Sequence, residues 1–212
     1  MKVFAIILNS LAFVAVAVLT SLFFYFNLPI LRLSAAITLV ATIVFNAIYC
    51  LVKRKGNKFN IFSLIVGALL LITGEMLVKK YLVAGMLLIS AGFAGNLIYI
   101  ILQNRFKWTD LWYVFAIVVG MLMLVFSHIF NLDGEKTYLL VTYFAVVLSA
   151  VFGFAVANMF KRQTSENILC IIGAFFLLVS GTCLLFNLFT VKPDAIRYIS
   201  TIGLYVASMF FV

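Results

Sequence analysis

The sequence has few of the residues from which soluble enzymes build their active sites. It contains a single histidine, His128, and three cysteines, Cys50, Cys170 and Cys183, which show no CxxC or other metal-binding spacing. It has no GxSxG, HExxH, Walker or GxGxxG motif. These absences exclude most hydrolase triads and redox centres, and we expect neither a cofactor nor a bound metal. We interpret the cysteines as small buried apolar residues.

Charged residues are also scarce, at 10% of the chain, whereas 67% is hydrophobic and the mean hydropathy is +1.27. Apolar runs of about 20 residues match the thickness of a bilayer when they are helical. The alternation typical of membrane β-barrels is missing. The sequence therefore predicts an all-α, polytopic membrane bundle that forms one integral membrane domain over residues 1–212.

The net charge of +9 does not indicate a nucleic-acid partner, because the basic residues lie in short connectors between the apolar runs. In such connectors they face lipid headgroups, so membrane lipids are the expected partners. Nine of the 15 Lys and Arg residues fall on the side of the two termini. This bias predicts a cell-membrane protein with both termini in the cytoplasm. The eight predicted helices are 3–25, 30–52, 59–78, 81–102, 111–131, 137–160, 167–190 and 195–212.

An internal repeat is suggested by two stretches of apolar sequence. GALLLITGEMLV at 67–78 aligns with GAFFLLVSGTCL at 173–184, and the same offset of 106 places Tyr99 on Tyr205. The alignment predicts two four-helix halves, 1–106 and 107–212, which meet around a cavity near the membrane midplane. In this alignment Glu75 is opposite Gly181.

Glu75 is the strongest candidate for a functional residue, because it is the only acidic residue within the long hydrophobic runs. A carboxylate inside a membrane span is unfavourable, so it usually faces the interior of the bundle and marks a functional site. The alternative is an ion pair at the headgroup level with Lys79, which follows at i+4.

Six other polar residues at membrane depth are candidates for a ligand-binding wall. Helix-to-helix hydrogen bonds explain the amide and hydroxyl residues equally well, and an interfacial belt explains the tyrosines. The six residues are Asn96, Tyr99, Ser180, Asn187, Tyr205 and Ser208.

Parts of this pattern resemble the YhhN family of eight-span membrane proteins, which includes the animal transmembrane lysoplasmalogenases. The third span has Gly74-Glu75 where the family has Gly-Asp. The seventh span keeps the family's Gly-Ala at 173–174 and the Ser, Asn and Phe of its motif at Ser180, Asn187 and Phe189.

The chain departs from the family pattern at three other positions. Gly181 stands where the family has Asp, Ser208 stands where it has Gln, and Asn96, three residues before Tyr99, stands where it has His. The chain thus keeps one of the two carboxylates of the family pattern.

The resemblance implies hydrolysis of the vinyl-ether bond of a lysoplasmalogen or related amphiphile, with Glu75 as general acid and the six polar residues as substrate contacts. Two alternatives stay open at this stage. One is a non-catalytic member that binds a lipid or amphiphile in the same pocket. The other is a small transporter in which Glu75 is a proton or cation site.

Overall fold

The computed structural model describes residues 2–26, 28–52, 58–104, 106–127, 129–130, 132, 134–190 and 194–210. These residues form eight helices and no strand, which confirms the predicted all-α class. The helices are α1 (Lys2–Phe26), α2 (Pro29–Val52), α3 (Lys58–Leu77), α4 (Leu82–Gln103), α5 (Asp110–Phe126), α6 (Glu135–Lys161), α7 (Ser165–Phe189) and α8 (Asp194–Phe210).

Five of these helices, α1, α2, α4, α6 and α7, are long and apolar enough to cross a membrane. The shorter apolar stretches Ile61–Leu77 and Asp110–Phe126 belong to α3 and α5. Large apolar side chains such as Phe62, Leu87 and Met123 point outward from the bundle, as expected where lipid replaces water. The fold is that of a polytopic membrane protein. The orientation of the termini stays a prediction.

The predicted helix boundaries agree with the structure within a few residues, except at the end of α5. The prediction extended this helix to residue 131, but it ends at Phe126. Both the backbone N–H and the hydroxyl of Ser127 donate to the carbonyl of Leu124, and this tight turn closes the helix. His128 lies outside the described residues.

The helices pack as sequential antiparallel hairpins, in which α1 contacts α2, α3 contacts α4, α5 contacts α6 and α7 contacts α8. Contacts of α4 and α7 with α6 join the later hairpins. Helix α8 also contacts α1, α2 and α3. The last helix therefore packs against the first three, and α2, α3 and α8 lie side by side.

Glycines bring the backbones of α3 and α4 into direct contact. A Cβ atom placed on Gly85 would lie 2.3 Å from the Cα atom of Val78, and one on Gly74 would lie 2.8 Å from the carbonyl oxygen of Gly85. Farther along the same crossing, a Cβ on Gly92 would lie 2.7 Å from the carbonyl oxygen of Gly67. Small residues permit this close approach of membrane helices. The two-halves repeat itself stays a prediction.

Hydrogen bonds and an ion pair between polar residues connect the ends of α4, α5, α6 and α7. Buried Asp110 accepts a hydrogen bond from the backbone N–H of Lys107 at 2.8 Å and forms an ion pair with Lys161. The Nδ2 of Asn158 donates to the carbonyl of Ile100, and the Nδ2 of Asn167 donates to the carbonyl of Asn158. Because α4 runs between them, this cluster and Glu75 lie at opposite ends of the bundle.

We expect Gly85→Ala to destabilise the protein by about 1–3 kcal/mol, because the added methyl group overlaps the backbone of Val78. Gly120→Ala is the matched control: a Cβ on this α5 residue meets nothing within 4 Å. Thermal unfolding in detergent, followed by tryptophan fluorescence, measures both variants. Equal midpoint shifts in the two variants would contradict the close α3–α4 contact.

Candidate functional site

Glu75 is positioned by the last turn of α3, two residues before the helix ends at Leu77. Its side chain is buried, with 4% of the residue exposed. The contact of Gly74 with Gly85 and Ile89 holds this turn directly against α4. The groups that bind the carboxylate come from the two other neighbouring helices, α2 and α8.

Arg32, in the first turn of α2, forms the ion pair with Glu75. Its Nε and Nη2 atoms lie 3.2 Å and 2.5 Å from Oε2 of the carboxylate. Nη2 also donates to the backbone carbonyl of Glu75 at 2.8 Å. This carbonyl is one of the last four of α3, which lack partners within their own helix. A single guanidinium therefore neutralises the carboxylate and satisfies the end of α3.

Two hydroxyl groups from α8 complete the shell of Glu75. Thr201 donates its Oγ1 hydrogen to Oε1 at 3.1 Å, and Tyr205 donates its hydroxyl hydrogen to Oε2 at 3.5 Å. The two residues are four apart and share one face of α8. In the part of the chain that the structure describes, these three side chains all act as hydrogen-bond donors to the carboxylate. We refer to Arg32, Glu75, Thr201 and Tyr205 as the Glu75 cluster.

An apolar groove begins beside the Glu75 cluster. Leu33 and Met76, which line it, directly follow Arg32 and Glu75 in sequence. The groove has a volume of about 630 Å³ and opens at the side of the bundle, between α2 and α3. Its walls are apolar, which suits an alkyl chain rather than a polar solute. The lining residues are Leu33, Ala36, Ile37, Val40, Ala41, Val44, Phe45, Ile48, Ile72 and Met76.

The structure brings one of the six predicted ligand-binding residues, Tyr205, into contact with Glu75. Ser180 lies at the α7–α8 contact, where its hydroxyl donates to the carbonyl of Ser200 at 2.6 Å. Asn96 is buried against Gly67, eight residues or about 12 Å along α3 from Glu75. Within the described part of the chain, its Nδ2 has no hydrogen-bond partner.

Two other predicted contacts, Tyr99 and Asn187, are half-buried on α4 and α7. Tyr99 packs against the core, and the side chain of Ser208 lies outside the described residues. Gly181, at the position of the family's second carboxylate, packs against Leu148, whose Cδ2 atom would lie 2.5 Å from an added Cβ. The side chain of Leu148 therefore occupies the space that a carboxylate would need.

Arg32 and Thr201 are not among the site residues predicted from the sequence. Arg32 is one of the 15 Lys and Arg residues whose distribution predicts the orientation of the chain. The missed signal is its position inside a predicted span, because a basic and an acidic residue within two neighbouring spans are natural partners in lipid. Thr201 carries no such signal, since hydroxyl residues are common in membrane helices and usually bond to their own backbone.

These features define a polytopic α-helical membrane protein with a buried ionic cluster beside a lateral apolar groove. The sequence model of the YhhN family matches residues 37–212, and the chain belongs to this family. The match confirms the resemblance seen in the sequence, and it includes Glu75, Thr201 and Tyr205 but begins after Arg32. Searches of curated proteins and of solved structures found no match.

We expect Arg32→Gln and Glu75→Gln each to destabilise the protein by about 3–5 kcal/mol, because each leaves one buried charge without its partner. The double variant should be less destabilised than the sum of the two, since it carries neither charge. Thermal unfolding of the four proteins in detergent gives the coupling. Lys80→Gln, which removes an exposed cation after α3, is the control and should unfold like the parent. Strictly additive effects would contradict a direct ion pair.

Proposed function

We propose that this YhhN-family protein hydrolyses the vinyl-ether bond of a lysoplasmalogen-type lysolipid and releases a fatty aldehyde and a glycerophospho-headgroup. The observation that carries the proposal is the buried carboxylate of Glu75 beside an apolar groove at the side of the bundle. The resemblance to a family that includes lysoplasmalogenases supports this choice of substrate class.

The arrangement suits a ligand with one long chain and a small polar end. The chain would lie in the groove along α2, and the glycerol unit would lie at the Glu75 cluster, where Leu33 and Met76 mark the end of the groove. A single-chain lipid would enter sideways from the membrane without crossing the packed interior. A second chain is not needed to fill a groove of about 630 Å³.

The reaction needs a group that donates a proton and then recovers it. Protonated Glu75 would donate its proton to the vinyl carbon that is not bonded to oxygen. This leaves an oxocarbenium ion at the carbon that is bonded to oxygen. A water molecule would attack this carbon and return a proton to the Glu75 carboxylate. The resulting hemiacetal would break into the aldehyde and the free hydroxyl of the glycerol unit.

The Thr201 and Tyr205 hydroxyls have a defined place in this scheme. They hold the carboxylate from the side of α8, so that its orientation is kept when the charge on Glu75 changes. The carboxylate would also stabilise the oxocarbenium ion once its proton has left. The chain has Gly181 in place of the second carboxylate of the family pattern. The use of Glu75 both as acid and as counter-charge would compensate in part for this difference.

A second function, binding of an amphiphile without catalysis, is favoured by one observation. Among the described residues, Arg32, Thr201 and Tyr205 donate to Glu75, and Arg32 supplies a positive charge that neutralises it. In that arrangement Glu75 is an anchor for Arg32 rather than an acid. An assay that records binding and product separately distinguishes the two functions.

We expect the purified protein to release aldehyde from a lysoplasmalogen and Glu75→Gln to be slower by about 10²–10⁴-fold, because the general acid is lost. Glu75→Asp, which restores the residue of the family pattern, should retain measurable activity. Coupled aldehyde reduction measures the rate. Glu135→Gln, at the exposed start of α6, is the matched control and should behave like the parent.

Binding of an uncleavable saturated ether lysolipid to each variant reports whether the variant is folded. Equal rates for the parent and for a folded Glu75→Gln protein would refute the role of Glu75. Binding of the saturated ligand without any aldehyde release by the parent would leave the binding function as the correct one.

A further inference from the structure

We propose that Arg32 recognises the phosphate of a single-chain phospholipid. In this step Arg32 exchanges its ion pair with Glu75 for an ion pair with the phosphate, and Glu75 takes up a proton. The proposal rests on the proposed function for the choice of ligand. It assigns a role in headgroup specificity to Arg32, and it links ligand binding to the protonation state of the acid.

The positive and negative charges within the Glu75 cluster balance. Arg32 from α2 supplies one positive charge, Glu75 from α3 supplies one negative charge, and the α8 contacts are neutral hydroxyls. Apolar groups also lie close to the cluster: the ring of Phe23 on α1 lies 6.0 Å from the guanidinium carbon, and Gly74, next to Glu75, packs against Gly85 and Ile89 of α4. The buried cluster therefore has a net charge of zero.

Of the two charged residues, Arg32 is the more accessible. Its side chain is 16% exposed, against 5% for the side chain of Glu75. It also lies in the first turn of α2, immediately before the Leu33 end of the groove. A phospholipid whose chain lies in the groove would therefore have its phosphate within reach of the guanidinium.

A phosphate competes well for this guanidinium. Arginine binds phosphate through two parallel N–H···O bonds, and such charge-assisted bonds are strong in surroundings of low polarity. Nε and Nη2 of Arg32 both donate to a single oxygen of Glu75, Oε2, and a phosphate can accept the same two donors. A headgroup without a phosphate offers no negative charge with which to displace the carboxylate.

Charge balance dictates the fate of the proton. When the phosphate diester anion binds, one further negative charge enters an apolar site. If the guanidinium pairs with the phosphate, the Glu75 carboxylate loses its counter-charge, and an unpaired charge in apolar surroundings is unfavourable. Glu75 takes one proton from water, and the cluster, now with the phosphate, again has a net charge of zero. The phosphate and the vinyl ether are joined only by the glycerol unit, so the newly formed acid lies near the bond to be cleaved.

If surface lysines rather than Arg32 bind the phosphate, a different result is expected. Lys79 and Lys80 are exposed in the connector after α3, and either could attract a phosphate at the headgroup level. Binding there would leave the pair of Arg32 and Glu75 intact, so no proton would be taken up. Proton uptake therefore separates recognition by Arg32 from simple attraction to surface lysines.

The experiment measures proton uptake on binding of a 1-O-alkyl glycerophosphocholine, which has no vinyl bond and cannot be cleaved. Titration calorimetry of the purified protein in neutral detergent, in two buffers of different ionisation enthalpy, gives the number of protons bound per ligand. We expect about one proton for the parent and for Lys80→Gln. Glu75→Gln should bind the same ligand without proton uptake, because it has no carboxylate to protonate.

Two ligands and one further variant complete the test. The 1-O-alkylglycerol lacks the phosphate, and glycerophosphocholine lacks the chain, so neither should cause proton uptake. Arg32→Gln should lose both the uptake and the preference for the phospholipid over the alkylglycerol. Thermal unfolding of each variant with and without ligand shows that the sample is folded.

Several outcomes would overturn the proposal. These are no proton uptake by the parent, equal uptake with the alkylglycerol, equal uptake with glycerophosphocholine, or unchanged uptake in Arg32→Gln. The ligand cannot be hydrolysed, so these results are independent of turnover. Proton uptake in a protein that releases no aldehyde would refute the proposed hydrolase function and leave the role of Arg32 standing.

Discussion

A carboxylate inside an apolar bundle must find both its counter-charge and its hydrogen-bond donors within the protein, because lipid supplies neither. In this structure that requirement links three helices. Glu75 on α3 takes its cation from α2 and its hydroxyl donors from α8. The return of α8 to the first helices of the chain and the position of the site are therefore two aspects of one arrangement.

The other buried ion pair shows that the same interaction can serve a different purpose. Asp110 accepts from the backbone N–H of Lys107 just before its own helix and pairs with Lys161 on α6, so it fixes the turn before α5 and fastens α5 to α6. Glu75 instead bonds to side chains of two other helices and lies beside an apolar groove. The surroundings, rather than the ion pair itself, make one pair a structural clasp and the other a candidate site.

The class, the helices and the central acid could be predicted from the sequence, since long apolar runs and one acidic residue within them have few interpretations in a membrane protein. The residues on neighbouring helices that bind Glu75 could not all be predicted in this way. A membrane helix is apolar towards lipid and towards its neighbours, so hydrophobic periodicity does not show which faces meet. Tyr205 was identified from a repeat and a family motif, whereas Arg32 and Thr201 required knowledge of which helices are adjacent.

The three-helix origin of the site has a consequence for its assembly during synthesis. Arg32 emerges from the ribosome 43 residues before Glu75, and Thr201 emerges 126 residues after it. The α2–α3 hairpin can thus neutralise its own charges as soon as both helices are inserted. The hydroxyl donors join only when α8 enters the membrane, so charge balance is an early event of biogenesis and the orientation of the carboxylate is a late one.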